Sequence, residues 1–153
     1  MWVRFLHTLP VGRLKIHLGM VYRRHRCFGS TRIGFDSLYS DVNVIVSDFD
    51  NTLFKRNFGL LDETVGYLEK QGLPIYIVTY RAESQQYFIE DVLSQTSLNV
   101  VGYGYANSRE KDPVKKFAIV RYLQKNHNIV EALDDDLDVV LGYLGMGINA
   151  RQV

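Results

Sequence analysis

The sequence predicts an α/β protein: a Rossmann-like three-layer sandwich on a parallel sheet of about five strands, with no cap domain. Three observations lead there. From residue 43 onward, short apolar runs rich in β-branched residues alternate with longer stretches of helical period. Such runs are the pattern of strands covered on both faces, and their alternation with helices implies right-handed crossovers. The polar residues that carry chemistry fall just after these runs, at the edge where parallel sheets bind ligands.

Val44-Ile45-Val46 opens the pattern as a strand over 43–47, and it ends in Ser47-Asp48-Phe49-Asp50-Asn51-Thr52. A loop follows, then a helix over 61–70 with Leu61, Val65 and Leu68 at helical spacing; Gly72 stops it and Pro74 follows. Pro74 to Val78 is the second strand, ending at Thr79-Tyr80-Arg81. Residues 82–94 read as a helix with Phe88, Val92 and Leu93 inward, and Leu98 to Tyr103 as the third strand. Asp112 is placed to cap the next helix, with Pro113 in its first turn and Ile119, Val120 and Leu123 buried. Ile129 to Leu133 is the fourth strand and runs into Asp134-Asp135-Asp136. A short helix to about Leu144 and a weak fifth strand over 148–153 complete the series. Asp136 and Asp138 read as helix-start residues.

The chain has 153 residues, 46% hydrophobic and 23% charged, enough for one domain with a real core. Its single cysteine, Cys27, excludes an internal disulfide and fits a reducing compartment. No apolar run approaches the roughly 20 residues of a membrane-spanning helix. The net charge of +1 conceals an asymmetry. Residues 1–40 carry seven basic side chains against one acidic, a balance of +6, and residues 41–153 eleven against sixteen, −5.

The division expected is therefore a basic extension over 1–40 and a catalytic-type domain over 41–153. Trp2, Phe5, Leu6 and Leu9 fit one helical face, which Pro10 and Gly12 interrupt. Four readings stay open for the extension: a targeting segment, a nucleic-acid arm built on Arg23, Arg24, His25 and Arg26, a docking element for a larger assembly, or a leader without a specific role. The location expected is cytoplasmic, or an organelle such as the mitochondrion if the arginine-rich start is a targeting segment. Cys27 to Arg32 imitates a cysteine-phosphatase loop but has four intervening residues where five are needed. Gly29 to Gly34 has phosphate-loop spacing, but Phe35 and Asp36 stand where Lys and Ser/Thr are required. The four histidines show no ligand spacing and read as surface residues.

The chemistry lies in what the strand ends deliver together. Asp48, Asp50, Asp134 and Asp135 make a hard, oxygen-rich set suited to Mg²⁺. Thr79 and Lys115 supply a hydroxyl and a fixed cation for a phosphoryl oxygen, and the loop after the first strand can form an anion nest. A carboxylate nucleophile, a metal and such clamps describe phosphoryl transfer through an aspartyl-phosphate.

Asp48-Phe49-Asp50-Asn51-Thr52, Thr79, Lys115 and Asp134-Asp135 resemble, in order, the four motifs of the haloacid dehalogenase-like (HAD) phosphohydrolase superfamily, over residues 43–147. The resemblance implies Asp48 as nucleophile and metal ligand, and Asp50 as general acid and base whose carbonyl also ligates Mg²⁺. It implies Thr52 steadying the loop, Thr79 and Lys115 on the phosphoryl group, and Asp134 and Asp135 on the metal. Lys116 competes with Lys115, and the match through Asp112-Pro113-Val114 favours Lys115. A narrower resemblance runs through Thr79 to Ser84, Arg109 to Lys115 and Asp134-Asp135 followed by Val139-Val140. It is to the phosphatase domain of phage-type polynucleotide kinase/phosphatases, and it implies removal of nucleic-acid 3′-phosphates with Arg81 as an extra phosphate-binding cation. No kinase half is expected here.

Thr52 and Thr79 are 27 positions apart, and Thr79 and Lys115 are 36 apart, gaps already filled by single helices and strands. An uncapped site is open to large substrates such as nucleic-acid ends. Tyr103 and Tyr105 are placed to stack on a base or, more simply, to pack at a strand end. The alternative to an enzyme is a structural or accessory subunit of the same fold, anchored in a larger assembly by its basic extension.

Overall fold

In the computed structural model of the protein, residues 4–7, 16–17 and 42–153 are described. The backbone of the sheet is set by β3 (Val42–Ser47), β6 (Ile75–Thr79), β7 (Val100–Tyr105), β8 (His127–Asp134) and β9 (Ala150–Gln152). These five strands are mutually parallel and lie in the order β7-β6-β3-β8-β9. Each crossover carries a helix: α1 (Asp62–Gln71), α2 (Gln86–Leu93, preceded by a 3₁₀ turn over Glu83–Gln85), α3 (Pro113–Gln124) and α4 (Leu137–Gly145). The chain builds outward from β3 on one side, through β6 and β7, and then crosses to β8 on the other. The switch point thus falls between β3 and β8, where a ligand crevice opens beyond the strand ends.

The pleat of β3 sorts its side chains onto the two faces. Val44 and Val46 join Tyr76, Val78, Val101 and Ala132 under α3 and α4, which contribute Ile119, Val120, Leu123, Val139 and Tyr143. Ile45 joins Ile75, Ile77, Tyr103 and Leu133 under α1 and α2, which contribute Val65, Leu68, Ile89, Val92 and Leu93. This is the three-layer sandwich. The helix boundaries follow local chemistry: Gly72 adopts a left-handed φ of 63° and returns its N–H to the Leu68 carbonyl. Asp112 accepts a hydrogen bond from the Val114 N–H at 3.1 Å, with Pro113 opening α3, and Asp136 accepts one from Asp138 N–H at 2.9 Å to open α4.

Several expectations are corrected. In α2 the inward residues are Ile89, Val92 and Leu93, while Phe88 remains 40% exposed. The loop after β3 contains a small hairpin, β4 (Phe54–Lys55) with β5 (Gly59–Leu60), whose apolar period is too short to register in sequence. His127 is buried, not superficial. Its Nδ1 lies 3.1 Å from the Leu123 carbonyl and its Nε2 3.0 Å from the Tyr76 hydroxyl. A carbonyl can only accept, so Nδ1 carries the proton and Nε2 accepts from Tyr76. Tyr103 and Tyr105 are buried, stacked on each other with centroids 6.1 Å apart, and pack in the core.

At the far edge, β1 (Arg4–His7) pairs antiparallel with β7, and β2 (Ile16–His17) pairs with β1. The helical face expected around Phe5 and Leu6 is therefore a strand, which covers a sheet edge that would otherwise present unpaired backbone groups. The arginine cluster at Arg23–Arg26, Cys27 and the rejected loops at 27–36 lie outside the described residues. No helix among the described residues is long and apolar enough to cross a membrane.

Candidate active site

Asp48 sits one residue beyond β3 and is 4% exposed. Its backbone N–H is tied to the Leu133 carbonyl of β8 at 2.9 Å, which fixes the loop against the neighbouring strand. The Thr52 hydroxyl donates to Asp48 Oδ2 at 3.1 Å, and Thr52 is itself buried. Asn51, with φ 59°, supplies the left-handed residue that lets the chain fold back, so that Leu53 and Phe54 donate N–H groups to the Phe49 carbonyl. Phe49 points into the core, as its position between the two acids requires.

The cation beside Asp48 is Lys116. Its Nζ donates to Asp48 Oδ1 at 3.0 Å and to Asp134 Oδ2 at 2.7 Å, and all three side chains are at most 5% exposed. The ring of Tyr80 faces the same ammonium at 4.3 Å. Lys115 does not join this group; it lies half-buried on the neighbouring flank of α3. The signal that distinguishes the two lysines was available. Ile119, Val120 and Leu123 are three, four and seven residues after Lys116, so Lys116 shares their buried face and Lys115 is rotated off it.

Burial pushes the Asp48 carboxyl well above the usual carboxylate range, against the opposing pull of Lys116. Burial raises Asp134 as well, again opposed by Lys116. For Lys116, burial works against the charge, but the attraction of Asp48 and Asp134 outweighs it and raises the ammonium above its ordinary value. Asp134 also accepts the Asp136 N–H at 3.0 Å.

Asp50 occupies a different environment. Its side chain is 41% exposed and receives both arms of Arg81, Nε to Oδ2 at 2.8 Å and Nη2 to Oδ1 at 2.7 Å. Hydrogen bonding to Asp50 raises the Arg81 guanidinium further above its normal value. Arg81 also donates to Gln85 Oε1 at 2.8 Å and lies over the rings of Phe88 and Phe49, at 4.8 and 5.5 Å. Thr79, at the end of β6, is buried, and its hydroxyl oxygen accepts the Arg81 N–H at 3.2 Å. The strand ends thus bring together Asp48, Thr52 and Asp134, joined by Lys116, with the Asp50–Arg81 pair on the adjoining loop.

Asp48, Asp134 and Asp135 each place a carboxylate oxygen within 4.8 Å of the others, a set that can hold a metal ion. The donors are all hard oxygens from rigid strand ends, the chemistry of a Mg²⁺ site. Lys116 leaves acceptor capacity free on both carboxylates it touches, since each carboxylate oxygen can accept about two bonds. The residues present therefore fit such an ion.

No family model matches the sequence, and no curated protein matches it. Among solved structures, the chain is similar to one in the structure of the Pnkp1/Rnl/Hen1 complex, with 20% identity and a TM-score of 0.61 over 74% of this chain and 45% of that one. It is also similar to one in the structure of the Pnkp1/Rnl/Hen1 RNA repair complex, with 18% identity and a TM-score of 0.61 over 73% of this chain and 42% of that one. At this identity the likeness is one of fold, and the chain spans less than half the length of those chains.

Proposed function

We propose that the protein is a Mg²⁺-dependent phosphatase of uncapped HAD type that works through an aspartyl-phosphate on Asp48, with nucleic-acid 3′-phosphates as its substrate class. The observation that carries this reading is the buried Asp48, held by Thr52 on one oxygen and by Lys116 on the other. A carboxylate fixed in this way meets an incoming phosphorus without reorganising, and water is excluded from its flank. The structural likeness to components of an RNA repair complex supports a nucleic-acid substrate.

A bound Mg²⁺ on Asp48, Asp134, Asp135 and the Asp50 carbonyl would offset phosphoryl charge. The chain's own residues account for the rest. An Asp48 oxygen bonds to phosphorus as the ester P–O bond breaks, and the leaving oxygen takes a proton from the Asp50 carboxyl. Water then attacks the acyl phosphate, Asp50 takes the water's proton, and Asp48 and inorganic phosphate are released. Both Asp50 oxygens accept one bond each from Arg81 in this structure, which fixes the carboxyl and leaves each oxygen a lone pair for the proton it carries. The Nη N–H groups that Arg81 does not spend on Asp50 and Gln85 serve the phosphoryl oxygens, the phosphate-binding role that the resemblance implies for Arg81. Thr79 contributes the hydroxyl, and Lys116, in place of Lys115, the fixed ammonium.

Purified protein with Mg²⁺ should release phosphate from an aryl phosphate and from a 3′-phosphorylated oligonucleotide. Asp48→Asn should lower both activities by about a thousandfold or more, the scale on which loss of a covalent nucleophile is felt. Full activity in that variant refutes the aspartyl-phosphate route. The accessory-subunit reading has one point in its favour: the similar solved chains are components of assemblies. An active protein that elutes as a free monomer, with nothing co-purifying, removes it.

A further inference from the structure

We propose that the β4–β5 hairpin is a strand-gripping element, with Phe58 stacking on a base and Lys55 and Arg56 facing the phosphates of a single-stranded nucleic acid that ends at Asp48. The proposal rests on the phosphatase reading only for the seat of the terminal phosphate. Phe58 is 77% exposed at the tip of the hairpin, a position that gives a large aromatic ring no reward from burial. Lys55 and Arg56 beside it are exposed too, and Lys55 Nζ already sits 5.0 Å from the Phe58 ring centroid. The two carboxylates that follow, Asp62 and Glu63, are set apart in the first turn of α1, where the positive end of the helix suits them. The tip itself therefore carries only positive charge and an aromatic face, the pairing that single-strand binders use.

The tip is held in a fixed relation to the catalytic loop. Phe54, which opens β4, bridges to Asp50 and stacks on Phe49 with centroids 5.4 Å apart and planes 8° from parallel. Phe88 closes on Phe54 edge-on at 5.3 Å and also carries Arg81 on its face. The turn is tightened by two left-handed residues, Asn57 at φ 71° and Gly59 at φ 85°, and by the Phe58 N–H donating to the Lys55 carbonyl at 3.0 Å. Phe58 lies two residues before Leu60, the register partner of Phe54, so at a strand rise of about 3.4 Å per residue it stands roughly 7 Å along the hairpin from the bridge to Asp50. An offset of that order matches the spacing of a nucleotide next to a terminal phosphate and exceeds the span of a small phosphate ester.

The test compares wild type with Phe58→Ala and with Lys55→Ala/Arg56→Ala, on three substrates: an aryl phosphate, a 3′-phosphorylated single-stranded oligonucleotide and a phosphopeptide. Phe58→Ala should raise KM for the oligonucleotide roughly tenfold, with kcat and the aryl-phosphate activity within about twofold of wild type. The double variant should also flatten the salt dependence of oligonucleotide binding, followed by fluorescence anisotropy. Equal losses on aryl phosphate and oligonucleotide, no loss on either, or a loss confined to the phosphopeptide would overturn the proposal. If the wild type hydrolyses none of the three, the phosphatase reading fails, and anisotropy still decides: oligonucleotide binding that weakens in Phe58→Ala supports the hairpin, and binding that does not weaken refutes it.

Discussion

Replacing Lys116 by Met removes the cation that, among the described residues, touches both Asp48 and Asp134, and keeps most of the side-chain volume. At an effective dielectric constant near 20, unit charges 2.7–3.0 Å apart attract by about 5–6 kcal/mol each. Against this stand the ammonium's own desolvation, several kcal/mol recovered on its removal, and the proton that the stranded carboxylates can take up. The net loss expected at pH 7 is about 3–4 kcal/mol, in the range found when one partner of a buried ion pair is deleted. That corresponds to a fall of roughly 10 °C in Tm. The sign of the pH dependence follows from the carboxyl pKa values. Burial already holds Asp48 and Asp134 above their unfolded values, and loss of Lys116 raises them further. The folded variant therefore binds protons that the unfolded chain does not, so its stability falls as pH rises and recovers as pH falls. Urea unfolding in metal-free buffer should show a deficit at least about 1 kcal/mol smaller at pH 5 than at pH 8. Lys115→Met should change stability by no more than about 0.5 kcal/mol. A Lys116→Met deficit below about 1 kcal/mol, or one that does not vary with pH, would refute the argument that Lys116 offsets buried charge on Asp48 and Asp134.

Phosphatase activity should separate the same two lysines: Lys116→Met should lose about a hundredfold or more in kcat, whereas Lys115→Met should stay within about threefold. Thr52→Val keeps the shape of a fully buried side chain but withdraws the hydrogen bond to Asp48, and should cost about 1–2 kcal/mol in urea unfolding. Gly142→Ala would normally favour a helix by up to about 1 kcal/mol. A Cβ there would meet Phe117 Cζ at 1.9 Å, so the variant should instead be less stable, by about 1–2 kcal/mol in the same assay.

The strands and helices are legible because their periodicity reports burial directly: Val44 to Val46 and Ile75 to Val78 are continuous buried runs, and Ile119, Val120 and Leu123 recur at helical spacing on one buried face. Asp48, Asp50, Thr79 and Asp134 could be placed at one edge because each follows such a run. What stayed hidden was set by contacts between distant segments. Phe88 fits the helical period, yet its ring is spent on Phe49, Phe54 and Arg81 at the surface. His127 carries no local signature, since its partners are a carbonyl four residues back and a tyrosine on another strand. Lys116, the competitor of Lys115, is legible from its helical face, which the register through Asp112-Pro113-Val114 obscures.

The division of labour between the two acids follows from their cations. Asp48 and Asp50 lie two residues apart, yet one is sealed and the other is 41% exposed at its side chain. Lys116 cannot leave Asp48 without stranding buried charge, so it acts as part of the scaffold that keeps the carboxylate aimed. Arg81 is a quarter exposed and Asp50 more so, so solvent screens the pair, while its bidentate geometry holds it more firmly than an ordinary surface contact. A phosphoryl group arriving at Asp48 offers the guanidinium more negative charge than Asp50 does, in the same planar hydrogen-bonding pattern. On the proposed phosphatase reading, substrate entry engages the guanidinium N–H groups not spent on Asp50, and Asp50 keeps a lone pair on each oxygen for proton transfer. The proposed function thus gives one arginine two tasks, fixing the exposed acid and receiving the phosphoryl oxygens, and Lys116 the single task of holding the buried one.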